Sequence, residues 1–292
     1  MAHPNARKTD AKSQMPQAIL TERAHLHVSA PEAEHFLHNL LTADIEGLQD
    51  GVWMASALLS AQGKIMFGFL VARDASGFVL ELARQDAAEF HKRLKFYRLR
   101  AKVDLSEPVP VSIAITWDSE ATDPAALKDG RFGGVDVWRS ACSGFAHDET
   151  DAWTLLRIEH GIAEPHADYV YNDVFPHDVN FDQIDGVSFK KGCYVGQEVV
   201  SRMQHRGTAR RRVMVAAAAE PMMSGAEIKA GGKAAGIVGS VSGMTGMALV
   251  RLDRIKDATD RGEPVTAGDI PVMLQFPVGV SYGWSSMTEA EA

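Results

Sequence analysis

Cysteine is scarce in this chain: two residues in 292, Cys142 and Cys193. Two thiols so far apart make no disulfide framework and point to a reducing compartment. They are too few for a zinc site of four thiolates and for an iron–sulfur cluster on the usual four cysteines. The eleven histidines show no HExxH spacing, so no metal site is expected. No P-loop pattern occurs. "GIVGSVSG" looks like a dinucleotide loop, but no helical pattern follows it. No apolar run approaches the roughly 20 residues that span a bilayer. The opening "MAHPNARKTDAKSQMPQ" is polar, without the apolar core of a secretory signal. The expectation is a tail over residues 1–17 and a cytoplasmic protein, or a mitochondrial matrix protein in a eukaryote, with no membrane contact. Positive charge is in the minority: Lys and Arg number 30 against 38 Asp and Glu, a net charge of −8. The surface as a whole is therefore no nucleic-acid glove, and any anion contact must come from a local basic patch.

What is present is an ordinary globular balance, 46% hydrophobic and 23% charged residues, enough for a sizeable core and about two domains. Ala24-His25-Leu26-His27-Val28 alternates as a strand. Ser29 and Pro31 mark a helix start, followed by Phe36, Leu37, Leu40 and Leu41 at helical spacing. "WMASALLSAQGKIMFGFLVAR" reads as a hairpin turning at Gln62-Gly63. "GFVLELA", "AKVDLSE" and "VSIAITW" read as strands, and "DAAEFHKRLKFYRLR" and "DAWTLLRIEHGIAE" as helices. Residues 118–150 carry weak patterning, the composition of a long loop or lobe boundary. After Arg212 short strands broken by glycines, including "MALVRLDRI" and "IPVMLQF", predict a small β-domain over 213–292. Strands close in sequence with few helices argue for α+β with antiparallel sheets.

The chemistry concentrates in "SFKKGCYVGQEVVSRMQHRGTARRR", Ser188 to Arg212. Gly192 and Gly196 allow a tight turn, and Gln197 onward predicts a short helix with Val199, Val200 and Met203 on its apolar side. Cys193 then lies just before a helix N-terminus, beside Lys190 and Lys191, a setting that favours thiolate. The alternative is a small buried hydrophobe. Glu198 in the first turn suits the dipole as a cap, and Gln197 either caps or meets a ligand. Arg202, His205, Arg206, Arg210, Arg211 and Arg212 form either an anion site or a solvated face paired with acids. Cys142, in "SACSGF", reads as structural.

"KGCYVGQE", Lys191 to Glu198, with Tyr194 inside it, closely resembles the signature of the YgfZ-type folate-binding proteins. "FPHDVNFD", "LLTADI", "LLSAQGKI" and "ALVRL" resemble that family in the same order. The resemblance implies the fold of the glycine-cleavage aminomethyltransferase T-protein. That is two packed antiparallel-sheet lobes over 18–212 around a central folate pocket, plus a C-terminal β-barrel. It implies tetrahydrofolate as ligand, with Asp178 and Asn180 at the pterin, Arg202 or Arg206 at the glutamyl tail, and Trp153 and Arg157 as lining. It implies service to iron–sulfur client or assembly proteins, tRNA-thiolating enzymes included, with tRNA only indirect and the chain a monomer. Cys193 would be the working thiol, Lys191 would bias it to thiolate, and Gly192 and Gly196 would shape the turn. The T-protein's aspartate pair has no counterpart in Ile65–Leu70, so aminomethyl transfer by that route is not expected. A folate-dependent one-carbon transferase and a tRNA-binding module are the alternatives.

Overall fold

The computed structural model describes residues 17–121, 123–143, 149–207 and 209–284. Most of the tail expected over 1–17 lies outside them. The chain opens with β1 (Gln17–Ser29), α1 (Ala33–Leu40), β2 (Val52–Leu59), β3 (Ile65–Asp74), β4 (Gly77–Ala83) and α2 (Ala87–Arg98). There follow β5 (Asp104–Leu105), β6 (Val109–Trp117), β7 (Leu127–Asp129), β8 (Val137–Cys142) and α3 (Thr150–Glu159). A 3-10 helix (Pro176–Val179) and α4 (Gln197–Arg206) lead to β9 (Arg211–Ala218), β10 (Glu227–Ala230), β11 (Lys233–Ser242) and β12 (Thr245–Arg251). The described chain continues with α5 (Leu252–Asp260), β13 (Val265–Ala267) and β14 (Ile270–Gln275).

Eight strands form one ladder, β4-β3-β2-β7-β8-β6-β1-β5, so the strands of both expected lobes share a sheet. Strand β1 is long enough to serve two neighbours. Its first part pairs with β6, and Arg23 to Ser29 pairs with β4. The register with β6 shifts between Leu20 and Arg23, and Arg23 to His25 then pair with β6 and β4 at once. The β1–β4 pairing returns the ladder to its start and wraps it around an interior. Helices α1 and α2 cover one side, where Phe36, Leu37, Phe90 and Leu94 pack on Leu26, Val28 and Leu80. The later strands close into a separate barrel, β10-β11-β12-β9-β14-β13, which buries Met214, Ile228, Val250 and Ile255. The α+β class and the C-terminal barrel match the sequence expectation.

Three local readings need correction. Ser29 belongs to β1, and α1 starts after Glu32, without a side-chain cap. In "MALVRLDRI" the strand stops at Arg251 and α5 begins at Leu252, because Leu252, Ile255 and Ala258 bury at helical spacing. The weakly patterned stretch holds β7, which pairs parallel with β2 and seats Asp129 fully buried.

Candidate functional site

The loop Ser188 to Gly196 is held from below. Ser188 N–H donates to Thr42 O at 2.9 Å, and Thr42 Oγ1 donates to Gly186 O at 2.6 Å. Lys191 runs inward: its ammonium donates to His38 O, Leu41 O and Ala43 O, so its three N–H donors all serve backbone carbonyls at and just beyond the end of α1. Burial pushes this ammonium down to about 8, against the pull of Asp44 and Glu46. Lys191 Nζ also sits 5.0 Å from the centroid of the Tyr194 ring. Tyr194 is buried, and burial pushes its phenol up to about 12.

Between these two inward side chains Gly192 and Cys193 face solvent. Cys193 is thus an exposed thiol on an anchored loop, not a small core residue. Cys142 is half-buried on β8. The loop ends at Gly196, which has φ +80° as the N-cap of α4. A Cβ there would come within 2.5 Å of Ser60 O, so glycine lets the loop seat on the β2–β3 turn. Gln197 N–H donates to Tyr194 O at 3.2 Å. Glu198 pairs with Arg202 at 2.8 Å, one turn along an exposed helix face.

The other expected site residues fall in three places. Asp178 and Asn180 are 2% and 1% exposed. Asp178 Oδ2 accepts from Phe175 N–H at 2.9 Å and from Arg211 Nη2 at 2.8 Å. Burial raises the Asp178 carboxyl, and Arg211 offsets part of that. Asn180 stands in the left-handed region and accepts from the Tyr282 hydroxyl at 2.9 Å. Arg202 and Arg206 are exposed on α4, whereas Arg212 is buried on Asp182. The arginine cluster therefore divides between surface and core. Trp153 and Arg157, on α3, line a cavity of about 330 Å3 together with Arg23 and Glu164. Arg157 itself is held by Asp168 at 3.1 Å and Ser240 Oγ at 3.0 Å.

The interior of the wrapped sheet holds what the sequence reading missed. Arg23, Glu81, Arg139, Asp129, Arg131 and Glu164 form a closed ring of ion pairs of alternating sign. Burial would raise the Glu81 carboxyl, but Arg139 and Arg23 hold it well below the usual range. Glu164 is likewise held at about 2, burial being outweighed by Arg23 and Arg131. A cavity of only about 20 Å3 remains beside Arg23, Arg131, Glu164 and Tyr169, room for about one water. Nothing local marks these six charges in the sequence; the available signal was charged residues inside strand patterns, such as Arg23 and Glu81.

Residues 210–280 match the family model described as the CAF17 C-terminal β-barrel domain. Among curated proteins the chain is 28% identical over 239 residues to the iron–sulfur cluster assembly factor IBA57 homologue, mitochondrial, of Chaetomium globosum, covering 68% of this chain and 55% of that one. It is 28% identical over 227 residues to the protein of the same name from Neurospora crassa, covering 67% and 52%. With that of Pyricularia oryzae the identity is 27% over 292 residues, covering 85% and 75%. The chain thus spans about half the length of the first two relatives. The glycine cleavage system aminomethyltransferase T from Bartonella henselae is similar in structure, with a TM-score of 0.66 at 16% identity over 90% of this chain and 85% of that one. The chain therefore has an aminomethyltransferase T-protein-like fold.

Proposed function

We propose that this protein is an accessory factor of iron–sulfur cluster assembly or repair, with Cys193 as its working thiol. The observation that carries the reading is the exposed Cys193, displayed between two inward-anchored side chains, Lys191 and Tyr194. The names of the relatives in three fungi support the same field of action. One exposed thiol supplies a single ligand, so a cluster or a client cysteine is met transiently and shared. In this reading the protein is a YgfZ-type relative that serves tRNA-thiolating enzymes among its clients. Lys191 contributes by fixing the loop, since its donors are committed to carbonyls.

Tetrahydrofolate is the proposed ligand, on the strength of the T-protein-like fold. The cavity of about 330 Å3 beside Trp153 and Arg157 suits it better than the Asp178 cluster, whose groups already partner one another. Strand β3 carries no carboxylate before Asp74, which favours an accessory role over one-carbon transfer.

Rescue of a deletion strain tests the thiol. Wild type is expected to restore tRNA methylthiolation by a cluster-dependent enzyme, and Cys193→Ala to fail at equal protein level. Equal rescue by Cys193→Ala would overturn the role. Because Cys193 is exposed, Cys193→Ala should leave the urea midpoint unchanged, within about 0.5 kcal/mol. Calorimetry tests the folate: one mole of tetrahydrofolate should bind per mole of protein, and absence of heat well above micromolar removes it.

A further inference from the structure

Four of the eight buried side-chain atoms that lack a partner among the described residues gather in one place: Trp53 Nε1, Arg139 Nε, Glu81 Oε2 and His25 Nε2. Their residues line one cavity of about 170 Å3 inside the wrapped sheet. Trp53, Glu81 and Arg139 are 4%, 0% and 1% exposed. Folded proteins keep buried polar groups partnered, so this convergence marks a position where another molecule supplies the partners. Ile113 and Leu127 give the cavity apolar walls. A few convergent polar groups against apolar walls is the anatomy of a small-molecule site. The volume is many times the ~15 Å3 that one water needs. Ala125 and Ala141, both exposed, stand at its rim and leave a way in. None of these residues belongs to the Cys193 loop or to the cavity at Trp153.

The polar groups define the ligand. Glu81 Oε1 is taken by Arg23 and Arg139, which leaves Oε2 with no partner within hydrogen-bond distance and only the His25 ring near it. Trp53 and Arg139 each present one free N–H. His25 Nε2, 3.8 Å from Glu81 Oε2, donates or accepts according to its tautomer. The partner must therefore donate one hydrogen bond and accept two. A cyclic amide or imide edge, with N–H beside C=O, does this from adjacent atoms. The His25 and Trp53 rings, 5.7 Å apart between centroids and inclined at 38°, give the cavity an aromatic wall, suited to a flat ring.

We propose that the cavity walled by His25, Trp53, Glu81 and Arg139 binds a small flat heterocycle through a lactam or imide edge. Pyrimidinones and purinones share that edge, and separate probes distinguish them. The full chain, labelled with nitrogen-15, is titrated with uracil, with hypoxanthine and with 1,3-dimethyluracil, which keeps the carbonyls but has no N–H to donate. The indole N–H signals are followed, and the Trp53 signal is identified by its loss in Trp53→Phe. Saturable movement of that signal by uracil, by hypoxanthine or by both, and not by dimethyluracil, is the expected result; which probe saturates names the ring class. Calorimetry should show binding weakened about tenfold in Trp53→Phe, the loss of one buried donor. His25→Leu provides the second variant if Trp53→Phe does not fold. An unmoved Trp53 signal at probe concentrations on the order of 10 mM, well above useful affinity, would mean that the cavity holds water alone and would overturn the proposal. Equal movement by dimethyluracil would overturn it too, by showing apolar filling without recognition of the edge.

Discussion

Lys191 shows how much one side chain does at this site. Its ammonium ties the Cys193 loop to carbonyls at the end of α1. Lys191→Met should cost about 2–3 kcal/mol, since hydrogen bonds to a charged group are worth roughly 1.5–3 kcal/mol; a shift in urea midpoint checks this. The pH dependence has a definite sign. The folded-state value, about 8, lies below the ordinary 10.5. Between the two the unfolded chain holds the extra proton, so this group makes stability rise with pH across that window. The rise should vanish in Lys191→Met. The sequence placed this lysine in the motif but gave it to the neighbouring thiol. Residues one or two apart are easily read as partners, whereas His38, Leu41 and Ala43 lie about 150 positions away. The same limit hid the ring of six charges. Arg23 and His25 alternate with Ala24 and Leu26, a pattern that reads as one solvent-facing side. Both faces of β1 are covered because the sheet wraps, and nothing within β1 announces that.

At the scale of elements, the strongly periodic segments were legible and the short ones were not. The β2–β3 hairpin and α4 follow from patterning over eight or more residues. Strand β7 has three residues, too few to show any period, and owes its state to pairing with β2 and β8. The two motif glycines, alike in sequence, differ in their demands. Gly196 needs its left-handed backbone and its close approach to Ser60 O. Gly196→Ala should therefore cost about 2–4 kcal/mol, from backbone strain and overpacking together. Gly192 meets nothing within 4 Å, and Gly192→Ala should stay within about 0.5 kcal/mol of wild type. Thermal melts of the two variants make the comparison. Equal destabilisation would show that the loop does not seat on the hairpin through Gly196.

For the molecule as a whole, the ion-pair ring governs behaviour in acid. Glu164 sits at about 2 when folded, against 4.5 unperturbed. Its contribution is present above the unperturbed value and is lost as pH falls from about 4.5 toward 2, where the unfolded chain binds the proton first. Urea midpoints measured across that interval should fall less steeply in Glu164→Gln. Breaking the ring at its most buried cation is harsher: Arg139→Met leaves Glu81 and Asp129 short of a partner and should cost about 3–5 kcal/mol. Six charged side chains of alternating sign thus occupy the interior of the wrapped sheet.

The tie between Tyr282 and Asn180 sets a clock on synthesis. The hydroxyl that completes the left-handed turn at Asn180 arrives 102 residues later in the chain, and the Ser281 hydroxyl meets Gln183 on the same return path. At roughly 5–20 residues per second, a ribosome takes about 5–20 s to supply it. For that interval the Asp178–Asn180 turn exists in the nascent chain without its last partner.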